Sequence, residues 1–192
     1  MSDLSGEYFY LNGEIKPAIE FDASILSGDD IVYEVMRMVN GVPLFFEDHF
    51  ARMRLSCGLL KYNCGLSENE LKQVINQLNQ KNNISHSNIK IVLHPQENRK
   101  TLLIQHMKSY YPPMKDYEEG VNTKIYFSER NRPNAKVYNV LWRNALEEFI
   151  SKNKLAEAIL VNKLNQITEA SRSNLFLIKN DVLYSTPEVY VL

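Results

Sequence analysis

The sequence predicts a two-domain protein of the α/β (α+β) class. Three observations carry this. Short apolar strand-like runs alternate with longer stretches whose apolar residues recur at helical spacing. Asn12-Gly13 and Asn40-Gly41 each separate two strand-like runs, and Asn-Gly supplies the two positive φ angles of a type I′ hairpin turn. Pro112-Pro113, then charged residues and Gly120, break the pattern, because proline cannot continue a strand or enter a helix interior. The expected organisation is a small N-terminal domain over 1–111, a linker over 112–120 and a second domain from 121 to 192.

Taken in order, "YFYLNGEIKPA" and "YEVMRMVNGVPLFF" form the two hairpins. In the second, alternation points Tyr33, Val35 and Arg37 one way and Glu34, Met36 and Met38 the other. "EDHFARMRLSCGLLKY" reads as a helix capped by Asp48. "SENELKQVINQLNQKNN" is a clearer one: Ser67 and Glu70 make a capping box, and Leu71, Val74, Ile75 and Leu78 share a face. "IKIVLH" and "TLLIQHM" pair as strands across the polar turn "PQENRK". Beyond the linker come a strand "TKIYF", a polar stretch "SERNRPNAKVYN" and a helix "VLWRNALEEFISKN" with apolar Val140, Leu141, Ala145, Leu146 and Phe149. "EAILVN" and "NLFLI" are the last strands. The apolar run "EVYVL" at the end leaves little room to close a core, so the second domain is expected to be incomplete at its C-terminal side.

Composition narrows the function classes. The 192 residues carry a formal net charge of -1 with Lys and Arg scattered, which argues against binding a nucleic-acid backbone. No apolar run reaches the length of a membrane span, and the N-terminus lacks the basic-then-apolar pattern of a secretory signal. Cys57 and Cys64 are expected as free thiols in a reducing cytoplasm. No Cys/His spacing suits zinc, and the four histidines do not cluster, so no metal is expected.

The most informative stretch is "NQITEASRSNLFLIKNDVLYSTP", residues 165–187. One acid, Glu169, precedes Ser171, Arg172, Ser173 and Asn174, and an apolar strand comes next. The ordered run Glu169, Ser171, Ser173, Asn174, Leu175, Phe176, then Thr186-Pro187, resembles the hallmark of the class IV aminotransferases, fold type IV enzymes that use pyridoxal 5′-phosphate (PLP). "NAKVYNVL" is similar to that family's K-x-x-N-x-L, with Lys136, Asn139 and Leu141. "EDHFARM" is similar to its H-x-x-R-[LM], with His49 and Arg52. "GDDIVYEVMRMVNG" resembles the hairpin of D-amino-acid aminotransferases. It departs from the usual G-D-G-x-[FY]-E, because Gly28 sits one residue early and Ile31 fills the second glycine position. The resemblance runs from about Tyr8 to Pro187, while the family continues into a glycine-rich turn and helix start that cradle the cofactor phosphate.

The resemblance implies a fold type IV enzyme with a small and a larger α/β domain, and it implies roles. Lys136 is the Schiff-base lysine and proton carrier; Lys124 and Lys152 are the nearest rivals, without an Asn and Leu at the right spacing. Glu169 sits at the ring nitrogen and favours its protonated form; the plainer reading is an acid in a surface turn. Arg52 holds the phosphate, where a guanidinium fork suits its oxygens; alternatively it is a solvated helix arginine. Ser173 and Asn174 support the cofactor or shape a turn. Tyr33 and Tyr138 are the expected substrate-side walls. Three functions stand open. The first is amino-group transfer between a small amino acid and a 2-oxo acid by a cytoplasmic homodimer. The second is 4-amino-4-deoxychorismate lyase, releasing 4-aminobenzoate and pyruvate. The third is a non-catalytic fragment or interaction domain of the same fold.

Overall fold

The computed structural model describes residues 4–96, 99–129, 132 and 134–191. The chain divides into two compact units, Met1–Tyr110 with Ala135–Asn139, and Tyr111–Asn134 with Val140–Leu192.

The first unit opens with β1 (Leu4–Leu11) and β2 (Glu14–Pro17), then β3 (Ile31–Val39) and β4 (Val42–Pro43). Both Asn-Gly pairs turn these hairpins with positive φ at each residue: 50° and 103° at Asn12 and Gly13, 51° and 78° at Asn40 and Gly41. Helices α1 (Phe46–Leu59) and α2 (Glu68–Asn82) come next, then β5 (Ser87–Gln96) and β6 (Arg99–Met107). The chain then forms α3 (Met114–Glu119) and β7 (Thr123–Phe127) of the second unit before returning with β8 (Val137–Tyr138). The sheet runs β2-β1-β6-β5-β3-β4, with β8 also on β3, and each of these pairings is antiparallel.

Strand alternation gives this sheet two apolar faces. Val32, Met36, Met38, Ile89, Ile91, Leu93 and Ile104 pack with Phe50, Met53 and Cys57 of α1 and Leu71, Ile75 and Leu78 of α2. Phe9, Ile31, Tyr33, Val92 and Leu103 form the core of the opposite face. The Ser67–Glu70 capping box starts α2. Asp48 does not cap α1. That helix begins at Phe46 after a left-handed Phe45 with no side-chain cap, and Asp48 lies inside the first turn, where a negative charge suits the helix dipole. The helix also ends before Tyr62, because Lys61 adopts a φ of 61°.

In the second unit β7 and β9 (Glu157–Val161) lie parallel, with α4 (Val140–Asn153) between them in the chain. β10 (Ile167–Ala170) adds antiparallel to β9. Leu146 and Ile150 of α4 pack on Ala158 and Leu160 of β9. Leu141 and Ala145, expected on the apolar face of this helix, are exposed instead, and Leu141 lies on the side opposite the buried Leu146 and Ile150. β11 (Phe176–Lys179) and β12 (Val182–Ser185) make a separate hairpin turned by Asn180 and Asp181 at φ 52° and 58°. Its apolar side chains are exposed. Among the described residues no helix is long and apolar enough to cross a membrane, and no group of three or more ligand-type side chains could hold a metal.

Candidate active site

Lys136, Tyr33, Tyr138 and Arg52 belong to the first unit, whereas Glu169, Ser173 and Asn174 belong to the second.

In the first unit, β8 lays the lysine segment against the start of β3. Tyr138 pairs with Ile31 and Val137 with Val32. The Tyr33 N–H donates to the Lys136 carbonyl at 3.1 Å. The Lys136 N–H donates to the Ser56 hydroxyl at 3.1 Å, and that hydroxyl donates to the Arg52 carbonyl at 2.9 Å. Ser56 is fully buried, so α1 grips the main chain on both sides of the lysine side chain together with β3. The Lys136 Nζ lies 5.1 Å from the centre of the Tyr33 ring, a cation–π distance. Tyr33 meets Tyr138 edge-on, with centroids 5.6 Å apart and planes at 86°.

Glu34 points to the other face of β3, towards α1. Its carboxylate is wholly buried and takes a two-pronged bond from Arg52: Nε to Oε1 at 2.8 Å and Nη2 to Oε2 at 2.7 Å. His49 Nδ1 meets Oε2 at 2.8 Å. The i, i+3 spacing of His49 and Arg52 brings both side chains to this one carboxylate. Burial pushes the Glu34 carboxyl up, but the bonds from Arg52 and His49 and the charges of Arg52 and Lys136 outweigh it, and the group stays below the ordinary carboxylate value. Arg52 is therefore not the solvated helix arginine of the plainer reading. It is fixed by Glu34 while about a third of its side chain (34%) remains accessible.

In the second unit Glu169 is buried, 4% exposed, in β10. The pairing of β10 with β9 is irregular between Ile167 and Ala170, a bulge that re-aims the side chains beside it. The loop after it is closed by Ala170 N–H to the Ser173 carbonyl at 2.8 Å. Ser171 ties it to β9: its N–H donates to the Ala158 carbonyl at 2.9 Å, and its hydroxyl donates to the Glu157 carboxylate. Thr186 Oγ1 donates to the Thr168 carbonyl at 2.6 Å and anchors the segment beyond β12. The Ser173 and Asn174 side chains are exposed. A surface-turn acid does not describe Glu169, since its carboxylate is buried.

Sequence reasoning passed over two residues here. Glu34 had a signal, since it lies on the face opposite Tyr33 and an acid there must find a cation. Ser56 had none, because a serine within a helix is silent about which distant N–H it meets.

The chain matches a family model, described as amino-transferase class IV, over residues 31–189. It is 29% identical over 195 residues to the D-alanine aminotransferase of Staphylococcus haemolyticus, covering 96% of this chain and 68% of that protein. Among solved structures, the branched-chain amino acid aminotransferase from Escherichia coli superposes with a TM-score of 0.78 at 19% identity, covering 97% of this chain and 68% of the other. A putative 4-amino-4-deoxychorismate lyase from Legionella pneumophila gives a TM-score of 0.71 at 23% identity, covering 92% of this chain and 69% of the other. At these identities the two structures show the shared fold. A further branched-chain enzyme of this fold was solved with pyridoxamine 5′-phosphate.

Proposed function

The chain belongs to the class IV aminotransferase family, and on that footing we propose that it moves an amino group between a small amino acid and a 2-oxo acid, with Lys136 as the catalytic residue. PLP is the cofactor of this family, whose members are enzymes. The residues of this chain fit such a group: a lysine amine over an aromatic ring, a buried carboxylate, and an oriented arginine that still reaches solvent. The observation that carries the proposal is the fixing of the Lys136 main chain by Ser56 and Tyr33, with its amine over the Tyr33 ring.

When bound, PLP supplies an electron-accepting ring that stabilises the charge left as a bond to the substrate Cα breaks. Lys136 holds the cofactor covalently. Its Nζ, when free, would take the proton from the substrate Cα, which needs the neutral amine. The Glu169 carboxylate favours a protonated ring nitrogen, because an opposite charge stabilises the charged form. Arg52 takes the cofactor phosphate, and the Glu34 bond to its Nε and Nη2 sets the plane of the guanidinium before the phosphate arrives. Ser173 and Asn174 support the loop around Glu169, and Tyr33 and Tyr138 wall the substrate side. The same reading takes 112–120 as the link between a small and a larger domain, and a cytoplasmic homodimer as the working form.

The second reading is 4-amino-4-deoxychorismate lyase, supported by the likeness to the Legionella protein named for it. It uses the same lysine and acid and differs in the step after Cα deprotonation.

The test is the visible absorption of the purified protein with added PLP, before and after borohydride, with the reduced adduct mapped by peptide mass. A band fixed on Lys136 is expected. Transfer to pyruvate or 2-oxoglutarate then supports the transferase, and release of 4-aminobenzoate the lyase. No band, or label spread over surface lysines, overturns both and leaves the non-catalytic reading.

A further inference from the structure

Ser56 has no ligand role in the chemistry above, yet it closes a circuit of contacts around both residues assigned to hold the cofactor. A helix serine that donates to the carbonyl four residues back is ordinary, and Ser56 does this to Arg52 at 2.9 Å. The unusual part is what its oxygen accepts: the Lys136 N–H at 3.1 Å, from a residue 80 positions along the chain. The Lys136 carbonyl in turn accepts the Tyr33 N–H at 3.1 Å. Glu34, the next residue of β3, clamps the Arg52 guanidinium at Nε and Nη2, at 2.8 and 2.7 Å. The circuit runs from Lys136 through Tyr33, Glu34, Arg52 and Ser56 back to Lys136. It joins β3, α1 and the segment that enters β8, all within the first unit. Ser56 is 0% exposed, so bulk water does not compete for its oxygen.

We propose that Ser56 is a positioning residue: it holds the Lys136 main chain at a fixed offset from Arg52, so that the site binds the aldehyde and the phosphate of its cofactor as a coupled pair. This rests on the roles of Lys136 and Arg52 proposed above. The two groups are attached to neighbouring atoms of the PLP ring, so the cofactor itself sets their separation. Once the Arg52 guanidinium holds the phosphate, the aldehyde meets the Lys136 amine at a high effective concentration only where the protein keeps the matching separation. Glu34 sets the plane of the guanidinium, and the two main-chain bonds at Lys136 set where its side chain starts. A frame that is rigid beforehand needs no ordering of the lysine segment when the cofactor arrives. Ser56 acts through Lys136, because its hydroxyl is engaged on both sides by main-chain groups.

The experiment titrates the full chain with three probes: PLP, pyridoxal (which lacks the phosphate) and pyridoxine 5′-phosphate (which lacks the aldehyde). Condensation of the Lys136 amine with an aldehyde releases water and gives a visible band, and pyridoxine 5′-phosphate is followed by its fluorescence. In Ser56→Ala, half of the PLP band is expected to need about tenfold more PLP, the worth of one hydrogen bond. Pyridoxine 5′-phosphate should bind as in the wild type, because Glu34 still holds Arg52. The advantage of PLP over pyridoxal should shrink accordingly. Ser56→Cys keeps a weaker donor and acceptor and should fall between the two proteins. Equal weakening of PLP and pyridoxine 5′-phosphate, equal weakening of PLP and pyridoxal, or no change would each overturn the proposal. Failure of both variants to fold would assign Ser56 to stability alone and overturn it too. A wild-type protein without a band overturns the reading of Lys136 as well, whereas a wild-type band with equal losses in the variants overturns only the role of Ser56.

Discussion

At the residue scale, the side chains of the proposed site differ in setting more than their types suggest. Lys136 and Lys90 both lie over tyrosine rings, at 5.1 Å from Tyr33 and 4.7 Å from Tyr138. Of these, only Lys136 has its main-chain N–H bound to Ser56 in α1. Lys136→Ala is expected to abolish the borohydride-fixed adduct and to lower turnover by roughly 10²- to 10⁴-fold, the usual worth of a positioned acid–base group, read in the coupled transfer assay. Glu34 is the second critical residue. Removing one partner of a buried ion pair leaves the other uncompensated, so Glu34→Gln should cost about 3 kcal/mol in urea denaturation. The lower end of the usual range applies because Arg52 keeps contact with water. The same substitution frees the guanidinium plane and should raise the PLP concentration needed for half-saturation, which absorbance titration measures.

At the element scale, two contacts decide how α2 meets its surroundings. Its N-terminus is closed locally by Ser67 and Glu70, and Ser67→Ala should cost about 1 kcal/mol, measured by chemical denaturation. Its C-terminus is closed locally by the left-handed Asn83, whose N–H meets the Asn79 and Gln80 carbonyls, and is tied at long range by Asn82. The Asn82 side chain accepts from Glu7 N–H at 2.8 Å and Tyr8 N–H at 2.9 Å, and donates to the Tyr8 carbonyl at 3.0 Å and the Leu78 carbonyl at 3.1 Å. This one amide joins α2 to β1. Asn82→Ala strands two strand donors and should cost about 2 kcal/mol in the same measurement, more than the cap at the other end. The irregular pairing within β1 and β6 between Ser5 and Tyr10 surrounds this contact, and Gly6 at φ 92° would bring a Cβ within 2.6 Å of the Asn82 oxygen. The glycine therefore makes room for the amide.

At the scale of the whole molecule, two buried groups set the acid limit of stability. His106 is fully buried, its Nδ1 2.8 Å from the Ser87 hydroxyl; burial lowers it to about 4, against a weaker opposing pull from the Leu78 carbonyl. Its folded value lies below the unfolded one, so its contribution is complete above about pH 6.5 and is lost as pH falls towards 4, by up to about 3 kcal/mol. Glu34 is also depressed, so its contribution persists through that window and is lost only below the ordinary carboxylate range. Urea unfolding across pH should show two successive declines. His106→Gln should flatten the first and Glu34→Gln the second. Most strands and helices were readable in the sequence, because apolar period, Asn-Gly turns and the Ser67–Glu70 box act within a few residues of one another, but the short elements α3, β8, β10 and β12 were not. The family was readable too, since the Lys136, Glu169 and Arg52 motifs are short and ordered. Asp48 was misread as a cap because the true start of α1 depends on Phe45 turning left-handed after β4. The Glu34–Arg52–His49 cluster and the grip of Ser56 on Lys136 were decided by tertiary structure alone. Each joins groups from different elements, and the energy of such a contact exists only once the sheet and its two helices have packed.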